Sequence, residues 1–314
     1  MRTLAQSARD MEAGASSRSL VEECLARITD PAGEGRRVFL KVHADTARAT
    51  ADYVDSLRRR RAAPSRFAGI PVSIKDLFDM AGCVTMSGSV ALHDAPPAAA
   101  DAVAVARLRA AGLIPIGRTN MTEFAFTGLG INPHYDTPRN PYDRATGRLP
   151  GGSSSGAAVS VTDGMAAGAL GTDTGGSCRI PAALCGIVGY KPTAKRIPLR
   201  GVLPLSFSLD SVGPLAPTVA CCAALDAIMV GEEATDLQPF PLRGLRLAAP
   251  QTVVLDDLDA TVSRGYAAAL SALSKAGAGI TDIPLHEIEE IAALNGRGRG
   301  SIRCIPPHPC PCRA

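Results

Sequence analysis

No run of about 18 apolar residues occurs anywhere in the 314-residue sequence, and that lack excludes a membrane-spanning helix. A strong charge of either sign is missing too. The net charge is +3, too small to imply a nucleic-acid partner. Aromatic residues do not interleave with basic ones, as a groove that stacks single strands requires. The one basic cluster, Arg58 to Arg61, follows the helical stretch ADTARATADYVDSL. It reads as a solvated helix end, its cations near the negative pole of the helix. The nine cysteines show no paired spacing, and Cys221 and Cys222 sit side by side in an apolar helical run. They read as small buried hydrophobes in a reducing compartment, so the cytoplasm is the expected location. The opening MRTLAQSARDMEAG is amphipathic and contains acidic residues, unlike a secretory signal. Internal repeats are missing, as is a clean linker before residue 295.

What is present alternates between helix and strand. Over residues 17 to 29, Leu20, Val21, Cys24, Leu25 and Ile28 share one helical face behind a serine cap at Ser16 or Ser17. A second helix fits 44 to 60. AGIPVSIKDLF predicts a buried strand ending near Lys75, ADAVAVARLRAAG a helix stopped by Gly112, and LIPIG a strand. Residues 128 to 150 are rich in Gly, Pro, Asn and Asp and read as a long loop, of a length that is usually functional or disordered. GIVGY, LRLAAP and GAGITDI read as short strands, with helices at about 217 to 230 and 258 to 276. Such alternation predicts an α/β fold: a mixed, mostly parallel sheet covered by helices on both faces. Residues 1 to 295 read as one domain. The Arg-, Pro- and Cys-rich segment 296 to 314 reads as a disordered tail. A zinc knuckle of Cys304, His308, Cys310 and Cys312 is disfavoured, because its C-x-C pair is tighter than structural zinc spacings. No metal is expected.

Two glycine–serine clusters stand out: LPGGSSSGAAVS at 149 to 160 and GTDTGGSCR at 171 to 179. Neither contains a histidine to activate a serine. A phosphate loop would need a Lys-Ser/Thr ending, which is absent. Gly152-Ser153-Ser154-Ser155-Gly156 fits a G-x-S-x-G elbow literally, with Ser154 as nucleophile. The run-up RATGRLPGG is a loop, however, not the apolar strand that an elbow needs. The downstream histidines, His286 and His308, read as surface residues. A third choice takes the base from Lys75. At the end of the apolar run IPVSI its ammonium could be desolvated and its pKa lowered toward that of a usable base. The local residues alone read more simply as a strand-ending lysine that reaches water.

The chain resembles the amidase signature family of serine hydrolases. The likeness runs, in family order, through GIPVSIKDLFD (69 to 79), RTNMTEFAFTG (118 to 128), RNPYDRATGRLPGGSSSGAAVSV (139 to 161), GALGTDTGGSCRIPAALCGIVGYKPT (168 to 193) and LDSVGPLAPTV (209 to 219). It implies a serine–serine–lysine triad: Ser177 as nucleophile, Ser153 as proton relay and Lys75 as base. The two serines stand 24 residues apart, the family spacing. It further implies a cis peptide bond before Ser153, allowed by Gly151 and Gly152. The backbone amides of Thr174, Gly175, Gly176 and Ser177 would form an oxyanion hole, worth about 2.7–4 kcal/mol per donor. Asp173 and Arg179 are expected to orient that loop, and Ser154 and Ser155 to cap the following helix. The substrate is then a small-molecule amide, cleaved to a carboxylate and ammonia or an amine. No cofactor, nucleic acid or membrane is implied, and a homodimer is compatible. Two alternatives stay open: an amidotransferase A subunit that delivers ammonia to a misacylated tRNA, and an inactive fragment. Members usually continue well past residue 295, so a C-terminally truncated, weakly stable domain is expected. Cys178 also departs from the usual branched apolar residue, and Cys221 or Cys222 from an acidic one.

Overall fold

The computed structural model describes residues 1–296. It contains, in chain order, α1 (Leu4–Glu12), α2 (Ser17–Thr29), α3 (Gly35–Val38), β1 (Phe39–Val42), α4 (Ala44–Arg59), β2 (Pro71–Lys75), α5 (Val103–Ala110), β3 (Ile114–Thr119), α6 (Ser155–Thr162), β4 (Gly168–Asp173), α7 (Arg179–Cys185), β5 (Val188–Gly189), β6 (Ser211–Ala216), α8 (Val219–Val230), β7 (Arg246–Pro250), α9 (Ala260–Lys275), β8 (Gly279–Ile283) and α10 (Glu287–Gly296). The chain forms two compact units, one from Met1 to Asp236 and one beginning at Leu237. The stretch of residues 1 to 295 read from sequence as one domain spans both units. The break falls in an exposed, irregular segment carrying Pro239 and Pro241, a linker that the sequence reading passed over. The disfavoured zinc knuckle and nearly all of the segment read as a tail lie outside the described residues.

The first unit is built on a six-stranded mixed sheet in the order β1-β3-β2-β4-β6-β5. The central strands β3, β2 and β4 run parallel, and β1, β6 and β5 join antiparallel. Every residue of β2, β3, β4 and β6 is buried, as a sheet covered on both faces requires. Alternation divides their side chains between two cores. Val72, Ile74, Leu170 and Val212 face α1, α5 and α8, while Ile114, Ile116, Ala169 and Leu215 face α2, α4, α6 and α7. The covering helices fit these roles by composition. α2 buries the predicted stripe, and Ser16 caps it by accepting from the Ser19 amide. α6 and α8 are apolar almost all round and lie deep in the unit.

Arg58 is not the freely solvated end that its run suggested. Its guanidinium donates to the carbonyls of Ala68 and Arg66 and ties α4 to the approach of β2. Five of the six described cysteines, Cys24, Cys178, Cys185, Cys221 and Cys222, are buried free thiols as expected, and Cys83 is partly exposed. In the second unit β7 pairs with β8 in parallel, and α9 carries no buried side chain. Among the described residues no helix is long and apolar enough to cross a membrane.

Candidate active site

The carboxyl ends of the parallel strands are where open α/β sheets place ligands, and the chemistry-bearing residues gather there. Lys75 is the last residue of β2 and Asp173 the last of β4. Ser153 and Ser154 immediately precede α6, and Ser177 lies in the turn between β4 and α7.

Several constraints shape the Ser153 turn. Gly151 has φ +77°, and the Gly152–Ser153 peptide is cis. A Cβ on Gly152 would lie 2.6 Å from the Gly130 nitrogen, so only glycine fits. The Gly152 amide donates to the Gly128 carbonyl at 2.7 Å, and the Thr122 amide to the Ser153 carbonyl at 3.0 Å. The long loop between β3 and α6 is thus a frame around the turn. The Ser154 amide reaches the Ser177 carbonyl at 3.4 Å and joins the two serine segments.

Lys75 does not snorkel. It is wholly buried, and its Nζ lies 2.7 Å from Ser153 Oγ and 2.8 Å from Thr172 Oγ1. Burial lowers its pKa to about 7, against the opposing pull of Cys178, Asp173 and Asp210. An amine in that state is neutral often enough to take a proton at neutral pH. Exposure separates the serines: Ser153 is 0% exposed and Ser177 is 7%. Of the two residues, Ser177 is the one that reaches solvent.

Asp173 is fully buried, and its carboxylate organises the turn. It accepts both Arg179 Nε and Nη2 at 2.9 Å, the Gly176 amide at 2.9 Å and the Cys178 amide at 3.2 Å. Burial alone would raise this carboxyl, but the Arg179 guanidinium and the Cys178 amide outweigh it and hold it below its ordinary value. The pair joins a buried carboxylate to a guanidinium that is more than half exposed. Gly176 needs its φ of +134°, whereas Gly175 has open space above its Cα. The Gly176 amide, one of the four expected from sequence to meet an oxyanion, is committed to the Asp173 carboxylate.

Ser154 and Ser155 do not cap α6. Ser154 occupies the cap position with ψ 50° rather than extended, and no side-chain cap bond forms. Its hydroxyl donates to the Thr172 carbonyl at 3.4 Å instead. Ser155 Oγ is buried without a partner. Sequence reasoning gave no role to three further groups. Thr172 touches Lys75. Asp210 accepts from Thr174 Oγ1 at 2.6 Å and from the Leu205 and Ser206 amides. Arg118 and Asp76 form a buried pair, Nε to Oδ1 2.6 Å, beside Lys75. Arg118 also donates to the carbonyls of Asp76 and Phe78, and the Gly88 amide completes the Asp76 carboxylate. Fold topology assembles these groups, and sequence spacing carries no signal for them. Among the described residues no cluster of metal-ligating side chains occurs.

The amidase family profile matches residues 19–296. The chain is 42% identical, over 80% of its length, to 2-amino-5-chloromuconic acid deaminase of Comamonas testosteroni, of which it covers 55%. It is also 42% identical, over 86% of its length, to the glutamyl-tRNA(Gln) amidotransferase A subunit of Anaeromyxobacter dehalogenans, of which it covers 57%. It thus spans about half the length of the curated relatives it matches. Among solved structures, the peptide amidase of Stenotrophomonas maltophilia is similar with a TM-score of 0.81 and 33% identity, over 93% of this chain and 64% of that one. With a family profile spanning most of its length, and a mixed sheet whose strand ends gather lysine, serines and a glycine-rich turn, this chain belongs to the amidase signature family.

Proposed function

We propose that this chain hydrolyses a carboxamide to a carboxylate and ammonia or an amine, through Ser177, Ser153 and Lys75. The observation that carries the reading is the buried contact of Lys75 Nζ with Ser153 Oγ at 2.7 Å, in a segment whose next amide, that of Ser154, reaches the carbonyl of the more exposed Ser177. Ser177 Oγ attacks the amide carbon, and the carbonyl π pair moves to oxygen. The amides of Thr174, Gly175 and Ser177 hold the resulting oxyanion. The Ser177 proton passes to Ser153 Oγ, whose own proton goes to Lys75 Nζ. The reverse relay protonates the leaving nitrogen, the C–N bond breaks, and an ester on Ser177 remains. Water attacks that ester along the same relay, releases the carboxylate and restores Ser177. Asp173 and Arg179 keep the turn in register without touching the reacting atoms.

The test is covalent capture. A fluorophosphonate probe should label Ser177, mapped by mass spectrometry, and lose its target in Ser177→Ala. Labelling of Ser154 would favour the elbow arrangement and sink this reading. A second reading, ammonia release for an amidotransferase, is supported by the 42% identity to the amidotransferase A subunit. Preference for glutamine over simple aliphatic and aromatic amides would favour it.

A further inference from the structure

Lys75 has a second hydroxyl partner that the relay does not use. Thr172 Oγ1 lies 2.8 Å from Nζ, next to the 2.7 Å contact with Ser153 Oγ. All three groups are shut away from solvent, Thr172 with 4% exposure. The titratable groups facing the amine are Cys178 before α7, Asp173 at the end of β4 and Asp210 before β6. Both carboxylates are engaged elsewhere, Asp173 by Arg179 and Asp210 by Thr174 and two amides. Among the described residues, the amine's hydrogen-bond partners are the two hydroxyls.

A neutral primary amine has two N–H bonds and one lone pair. To take a proton from Ser153, the lone pair must face Ser153. If Thr172 donated into it instead, Ser153 would meet an N–H, which has the wrong polarity for a base. We propose that Thr172 is a positioning residue whose Oγ1 accepts one Lys75 N–H and so turns the amine's lone pair toward Ser153. The inference rests on the triad reading. The same oxygen solvates the ammonium when Lys75 is protonated, in a site that offers few acceptors. Thr172 therefore governs both the direction and the basicity of the lysine.

The chain has five lysines, so 13Cε-lysine labelling gives a spectrum in which Lys75 is assigned by its loss in Lys75→Met. Thr172→Val is nearly isosteric and removes the acceptor. It should lower the Lys75 titration midpoint by about one pH unit, the loss of one charge-assisted hydrogen bond. At pH 9, where Lys75 is neutral in both chains, fluorophosphonate labelling of Ser177 should slow about tenfold, a fraction of what a positioned base contributes. Thr172→Ser keeps the hydroxyl and should return both values to those of the wild type. An unmoved midpoint in Thr172→Val overturns the inference. So does a Thr172→Ser chain shifted away from the wild type, or a shifted midpoint with undiminished labelling. A wild-type chain that fails to label at Ser177 breaks the triad reading instead, and the titration still decides whether Thr172 holds the amine.

Discussion

Replacing Lys75 with methionine isolates one proton from all the others that titrate. Methionine keeps much of the aliphatic stem and carries no charge. In the folded chain Lys75 gives up its proton near pH 7, whereas an unfolded lysine holds it to about 10.4. Between those values the unfolded chain binds one more proton, so stability rises with pH. The depressed lysine is a penalty that is fully present below pH 7 and relieved as pH climbs through the window. With Lys75 half-titrated at pH 7, the wild type should gain about 2 kcal/mol between pH 7 and 9 relative to Lys75→Met. Buried thiols work the other way. Burial raises Cys24, Cys185 and Cys222 to about 12, and Cys178 further still. Their effect is common to both chains and cancels in the difference. Urea unfolding of the two chains at pH 7, 8 and 9 measures it directly. A stability difference that stays flat over that range would mean that folded Lys75 keeps its proton, and the neutral-base argument would fall.

The remaining predictions concern the same neighbourhood. Labelling of Ser177 by a fluorophosphonate should climb through pH 7 and level off above pH 8, following the neutral fraction of Lys75; a rate independent of pH from 6 to 9 would remove the lysine from the step. Asp173→Asn withdraws the charge that Arg179 and the turn amides share. It should slow labelling by about a hundredfold, the scale of one lost oxyanion donor, while circular dichroism stays unchanged. Arg118→Leu leaves Asp76 buried and unpaired and should lower unfolding stability by about 3–5 kcal/mol, read from urea midpoints; an unaltered midpoint would show that water reaches Asp76.

Legibility followed the strength of local signals. α2 was readable to the residue, because a serine cap and a five-member stripe define both its start and its buried face. β2 was readable as an apolar run, and Gly112 at φ +81° marks the turn that ends the α5 segment, as expected. β4 and β6 were not. GALGTD and SVGPLA are buried throughout, so neither alternates, and their glycines and proline speak for loops. α7 is a seven-residue helix with a proline in its first turn, too short to show a period. The positions of Lys75, Ser153 and Ser177 came from resemblance rather than pattern, since local residues favoured a solvated lysine. Thr172 meets Lys75 across 97 residues of chain. Only the parallel pairing of β2 with β4 brings them together.

The complete enclosure of Lys75 and Ser153 has a kinetic corollary on the triad reading. On that reading the lysine sits in a cul-de-sac, with Ser153 and Thr172 as its hydrogen-bond partners among the described residues and the proton path running through Ser153 to Ser177. A proton parked on Nζ must leave by the road it came in on. An amine departing from the acylated serine takes that proton and clears the lane for the next attack. An ester's alkoxide or phenolate can leave without it, so the lysine stays charged while water tries to enter. Discrimination between amides and activated esters then depends on how quickly the dead end empties rather than on how tightly either substrate is held.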